Sequence, residues 1–186
     1  MARRKPDPGA IYVSPRLQAS LEPMGRCALT TVTAPMGYGK TTAVNWFLAA
    51  QPPGSAIRVS IYSDSLPALW ESGRRAFRAA GLTVLEGFDC PMDPAATGLL
   101  VDTLCRELRR PEPWYLFVDD LHLLPDPRMA RFLCELAARL PENVHLIAAS
   151  RDRILSGDQV LRLGGRLHRI GAEQLRLEGG ELAAYV

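Results

Sequence analysis

Residues 30–42 read TTVTAPMGYGKTT, a set of residue types suited to holding a polyphosphate. The β-branched run Thr30, Thr31, Val32 and Thr33 enters a segment with Pro35, Gly37 and Gly39, and Ala43, Val44, Phe47 and Leu48 then recur at helical spacing. A strand that passes through a glycine loop into a helix aims consecutive backbone N–H groups, and the positive end of the helix dipole, at one anion. Lys40 adds a compact ammonium for the β and γ phosphates, and the Thr41 hydroxyl stands where a Mg²⁺ ligand is needed. Pro35, Met36, Gly37, Tyr38, Gly39, Lys40, Thr41 and Thr42 are therefore the candidate phosphate-binding residues.

The usual spacing GxxxxGK[ST] has its first glycine at position 34, where this chain has Ala34. Alanine is small and Gly37 restores flexibility inside the loop, so the stretch reads as a variant of the phosphate-binding loop (P-loop). The plain alternative is a Gly-rich turn that happens to contain a lysine. Of the 22 basic residues, however, only Lys5 and Lys40 are lysine and the other 20 are arginine. Lysine at the one place where a point charge is wanted speaks for a chemical requirement.

A second carrier of chemistry is WYLFVDD at residues 114–120. Five bulky apolar residues ending in two aspartates read as a strand buried on both faces whose carboxyl tip presents acids. In open α/β sheets ligands sit at the carboxyl ends of strands, which puts Asp119 in reach of Mg²⁺ and Asp120 in reach of an attacking water. The third is HLIAAS at residues 145–150, followed by Arg151. If this strand runs between the other two, Ser150 and Arg151 face the terminal phosphate, where a guanidinium distinguishes three phosphates from two.

The elements that must position these groups follow in chain order. Ser14 would cap a short helix begun by Pro15, with Leu17 and Leu21 on one face. A segment just before such a strand can fold back over the nucleotide base, which makes the Val13 backbone and Arg16 adenine-side candidates. The pattern then predicts a helix over 41–50, a strand over 56–61, a helix over 67–80 and an irregular stretch over 82–92. Asp93 caps a helix begun by Pro94, which Pro111 and Pro113 follow. Further expectations are a helix over 128–140, a short helix over 154–163, a fifth strand over 167–170 and a last helix from 175 onward.

The 186 residues suit one domain, which buries roughly 70% of its unfolded surface. A net charge of +2 and the absence of an Arg cluster interleaved with aromatics argue against nucleic-acid binding by this segment. The four cysteines form no CxxC pair, which argues against a metal or redox motif and for buried thiols in a reducing cytosol. Residues 1–10 are basic and proline-rich with no apolar stretch behind them, so they read as a flexible arm rather than a signal peptide. No run approaches a membrane span.

Taken together, APMGYGKTT, the early VSPRL, LFVDD followed by LH, LIAASR and LHRIGAEQLRL resemble the ATP-binding domain of the large LuxR-type transcriptional regulators, the MalT-like members of the signal-transducing STAND ATPases. That group tolerates alanine at the first motif position. The resemblance implies an α/β P-loop NTPase fold over residues 11–186, with a parallel five-stranded sheet in the order 5-1-4-3-2 flanked by helices on both faces. It also implies a cytoplasmic switch that exchanges ADP for ATP, uses Mg²⁺, hydrolyses ATP slowly and self-associates in the ATP state. Such regulators contact DNA only through a C-terminal domain that this sequence does not contain. Two rivals remain open: a small-molecule kinase using Arg74, Arg75 and Arg78, and a nucleotide-binding interaction module without hydrolysis. A GTPase is disfavoured because no NKxD motif is present.

Overall fold

The structure is a computed structural model that describes residues 12–90, 93–178 and 181. The arm expected over residues 1–10 lies outside the described residues, as does most of the last helix expected from 175 onward. Five strands form one parallel sheet: β1 (Leu29–Thr33), β2 (Ala56–Ser60), β3 (Trp114–Asp119), β4 (Val144–Ser150) and β5 (Leu167–Ile170). Their order is β2-β3-β4-β1-β5, the expected 5-1-4-3-2 read from the other edge.

Alternation along the strands divides the core into two layers. On one face Val32, Phe117, Ile147, Ala149 and Ile170 meet α1 (Pro15–Leu21), α2 (Lys40–Ala49) and α7 (Ala172–Leu175). On the other, Leu29, Ile57, Leu116, Val118 and Leu146 meet α3 (Leu66–Ala79), α4 (Pro94–Glu107), α5 (Pro127–Arg139) and α6 (Gly157–Leu163). Strands β3 and β4 are buried along their whole length, which is why both read as near-continuous apolar runs. Edge strand β2 buries only alternate residues, and Arg58 on its open side lies 5.1 Å from the Phe117 ring centroid. Each large apolar side chain removed from water in these layers contributes about 1.5–3 kcal/mol.

Helix starts follow local chemistry. Ser14, Ser65, Asp93 and Asp126 each accept a hydrogen bond from a backbone N–H of the following turn, with proline at the first or second helical position. Several boundaries differ from expectation. The helix expected over 154–163 begins only at Gly157, because Ser156 and Gln159 form a capping box there. Residues 84–87 form a 3₁₀ turn inside the stretch expected to be irregular. Leu175 ends a short helix rather than starting one, since Arg176 is extended. Of the four thiols, Cys105 and Cys134 are buried while Cys27 and Cys90 are half-buried. Among the described residues no helix is long and apolar enough to cross a membrane.

His145 on β4 is 4% exposed, stacks on Tyr115 at 5.2 Å and donates from Nδ1 to the Cys27 carbonyl oxygen at 3.0 Å. Burial holds its pKa below the usual 6.5, a trend the hydrogen bond to Cys27 opposes. The unfolded chain therefore takes up this proton first. The contribution is fully present above the unfolded pKa and is lost as pH falls through 6.5 toward the lower folded value. Urea midpoints are expected to decline over that window, and His145→Gln is expected to flatten the decline; an equal slope in both proteins would rule out His145 as its source.

Candidate functional site

The three sequence segments converge at the carboxyl end of the sheet because β4 lies between β1 and β3. Thr33 pairs with Ser150 in register, and the Ala34 N–H donates to the Ser150 carbonyl oxygen at 3.3 Å. The next five residues, 35–39, form an exposed loop over that strand end. Gly37 and Gly39 have φ of +85° and +75°, a conformation that disfavours a Cβ. Ala34 is not among the positive-φ residues, and its methyl group is buried in the core beside Val32 and Val44, so glycine is not required there.

Helix α2 opens differently from three of the helices on the far face, which carry side-chain caps. Each of α3, α4 and α5 has a side chain bonded to its first turn, whereas the N-cap of α2 is Gly39, with no side-chain acceptor. The N-terminal amides of α2 are thus left for an external anion. Lys40 is 8% exposed, and its Nζ donates to the carbonyl oxygens of Ala34 at 2.7 Å and Pro35 at 3.1 Å. These bonds hold the ammonium beneath the loop, where phosphate oxygens are stronger acceptors than neutral carbonyls.

Thr41 Oγ1 donates to Asp119 Oδ1 at 3.3 Å, joining residues 78 positions apart in the chain. Asp119 is buried, and the same oxygen accepts from the Asp120 N–H at 3.0 Å. A hydroxyl and a carboxylate side by side are hard oxygen donors. They fit Mg²⁺, which takes one or two protein oxygens and completes its shell with waters and substrate phosphates.

Asp120 leaves the strand in the left-handed region, φ 57° and ψ 38°, the one non-glycine residue with positive φ among the described residues. This turn brings its half-exposed carboxylate 3.9 Å from His122 Nδ1. The His122 side chain is 7% exposed, and neither ring nitrogen has a hydrogen-bond partner among the described residues. Nothing in the sequence pattern gives His122 a role beyond its place two residues past the acidic pair. Arg151 is exposed, and its Nη2 lies 3.4 Å from Met36 Sδ, so the guanidinium stands over the loop. Ser150 is 2% exposed, with its hydroxyl accepting from the Asp152 N–H at 3.2 Å. Tyr38 and Thr42 are exposed at the loop tip and the first turn of α2.

Val13 is buried against the α2 layer, and its carbonyl oxygen accepts from Gln18 Nε2. Arg16 is engaged elsewhere. Its guanidinium bonds the backbone carbonyls of Glu173, Gln174 and Arg176 and the carboxylate of Glu181, with Glu178 3.4 Å away. Hydrogen bonds from Arg16, Ser14 and the Glu178 backbone push the Glu181 carboxyl down to about 2. Arg74, Arg75 and Arg78 lie on α3, across the sheet from α2; Arg74 is 4.0 Å from Glu71, and Arg78 pairs with Glu86.

A parallel 5-1-4-3-2 sheet with a glycine loop after its first strand and an acidic tip on its third defines the class: this is a P-loop NTPase fold. No protein-family model matches the chain. Among solved structures, the chain is similar to a STAND (signal transduction ATPase with numerous domains) protein with a tetratricopeptide repeat sensor from Pyrococcus horikoshii. The TM-score is 0.64 at 12% identity, over 94% of this chain and 25% of that one. It is also similar to a chain of the Drosophila ORC bound to DNA, with TM-score 0.51 and 14% identity over 84% and 91% of the two chains. A Drosophila ORC structure with AT-rich DNA and Cdc6 gives TM-score 0.50 at 14% identity, over 90% of this chain and 59% of that one. At such identities the likeness carries the fold alone.

Proposed function

We propose that this chain is an ATP- and ADP-binding switch domain of the STAND type, from a MalT-like regulator of the cytoplasm, with slow Mg²⁺-dependent ATP hydrolysis. The observation that carries the reading is the 3.3 Å bond between Thr41 and Asp119, beside a buried Lys40 and an uncapped helix N-terminus. The amides of residues 37–42 and the Lys40 ammonium hold the phosphates, and Thr41 and Asp119 hold Mg²⁺, which when bound neutralises charge on the β and γ phosphates. Asp120 orients the attacking water and accepts its proton, and hydrolysis yields ADP and inorganic phosphate. Ser150 and Arg151 report whether the γ phosphate is present, and the ATP state is the one that self-associates.

Thermal unfolding with and without nucleotide tests this reading. Ligand at about a hundred times its Kd adds roughly 2.7 kcal/mol. For a domain of this size that is a rise in Tm of about 5–10 °C. An unchanged Tm in millimolar Mg-ATP and Mg-ADP would remove the nucleotide reading altogether. Asp120→Asn tests the hydrolytic step separately: turnover is expected to fall about 10²-fold or more with affinity retained. Unaltered turnover would relieve Asp120 of that role, and a wild-type protein that binds tightly without any turnover would favour the interaction module.

A further inference from the structure

On the face of the sheet away from α2, the helices cover the strands but leave a space against them. A cavity of about 530 Å³ remains between α3, α4, α5 and the sheet, with Leu116 and Val118 among its lining residues. Trp70, Phe77, Leu104 and Phe132 add apolar walls, and Trp70 is held there by its indole N–H, which donates to the Phe88 carbonyl oxygen at 3.1 Å. Leu66, Leu69, Trp70 and Phe132 are only partly buried, so an occupant would complete their removal from water. A cavity of this volume, mostly apolar with a few polar groups, has the dimensions of a small-molecule site.

Two further observations narrow the occupant. Glycines stand mid-helix on two of the walls, Gly73 in α3 and Gly98 in α4, where any other residue except proline would favour the helix more. A Cβ built on Gly98 meets no atom within 4 Å, so the wall is thin where the space is open. The charged lining is Arg128, Arg131, Arg139 and Arg162 with Asp93 and Glu135. Arg139 bonds Asp102 and Glu135, Arg162 bonds Glu135 and Arg128 bonds Asp126, while Arg131, exposed on α5, has no ion pair among the described residues. Arg131, at the edge of an apolar chamber, complements a single anionic head on an apolar body.

We propose that this cavity is a second ligand site, separate from the phosphate loop, for a small amphipathic carboxylate of the medium-chain fatty-acid class. Its apolar chain would lie against Trp70, Phe132 and the β3 face, with the carboxylate toward Arg131. This inference does not depend on nucleotide binding, because the sheet separates the two sites.

Dodecanoate is the probe, titrated into the full chain below its micelle concentration, with tryptophan fluorescence and calorimetry as readouts. Saturable one-to-one binding is expected, weakened at least about tenfold by Gly98→Phe, which fills the chamber, and by Arg131→Glu, which reverses the charge at its mouth. Dodecanol is expected to bind at least about tenfold more weakly than dodecanoate. Arg131→Glu changes an exposed residue and keeps the test decisive should Gly98→Phe fail to fold. Absence of saturable binding, affinity unchanged in both variants, or equal affinity for dodecanol would overturn the proposal. So would a dimer that dodecanoate leaves intact and Gly98→Phe dissociates, since the groove would then belong to a second copy of the chain.

Discussion

Lys40→Ala is expected to erase the thermal stabilisation by Mg-ADP and Mg-ATP and to weaken both nucleotides about 10- to 150-fold. The basis is the exchange the ammonium undergoes. In the structure Nζ bonds two neutral carbonyls, Ala34 and Pro35; in the proposed nucleotide complex it would gain charged phosphate oxygens. A hydrogen bond to a charged group contributes about 1.5–3 kcal/mol, and each 1.4 kcal/mol is tenfold in affinity. The fold is expected to survive, because those two carbonyls belong to the loop entrance and not to the sheet ladder. Isothermal titration with ADP reads the affinity, and the melting curve without nucleotide checks the fold. Equal affinity in variant and wild type would mean that the loop does not bind phosphate in the manner proposed.

The second large effect concerns Asp119→Asn. The amide keeps the shape of the carboxylate and can still accept from Thr41 Oγ1 and the Asp120 N–H, the two bonds that hold it at the strand tip. What it loses is the negative charge. Nucleotide binding is therefore expected to become insensitive to Mg²⁺, with affinity in excess chelator near that of the wild type. ATP turnover is expected to fall at least about 100-fold, since an ion in this position lowers the barrier by several kcal/mol. Affinity measured across a Mg²⁺ titration separates these effects, and it does so even where turnover is too slow to follow. A variant with wild-type Mg²⁺ dependence would exclude Asp119 as the metal-holding acid.

The parts of the site that were legible in the sequence are those written locally. The glycines at 37 and 39, the lysine after them and the acids ending a wholly apolar strand each reflect a requirement met within a few residues. The same holds for the Ser-Pro and Asp-Pro helix starts, because a side-chain cap and a fixed proline φ are properties of adjacent positions. Small errors have the same origin. The helix after the loop begins at Lys40 rather than Thr41 because Gly39 already turns the chain, and the third strand stops at Asp119 because Asp120 turns left-handed.

Residue spacing could not supply the partners of long charged side chains. Arg16 looked available to a nucleotide base, yet its guanidinium is occupied by groups 157 or more positions away. His122 drew no role from its position, yet its ring is buried beside Asp120, and neither nitrogen has a hydrogen-bond partner among the described residues. Nor does any periodicity disclose the chamber under α3, α4 and α5, because an apolar helix face looks the same whether the opposing surface fills the space or leaves it open.

By itself, then, the amino-acid sequence determined where the glycine loop, the lysine after it and the acidic strand tip fall and which stretches form strands and helices, since both are set by interactions between near neighbours. The order of the strands followed only from resemblance. Only the tertiary structure decided that Thr41 meets Asp119 and that Arg151 stands over the loop. Those outcomes depend on register and packing between segments up to 115 residues apart, and no local rule encodes them.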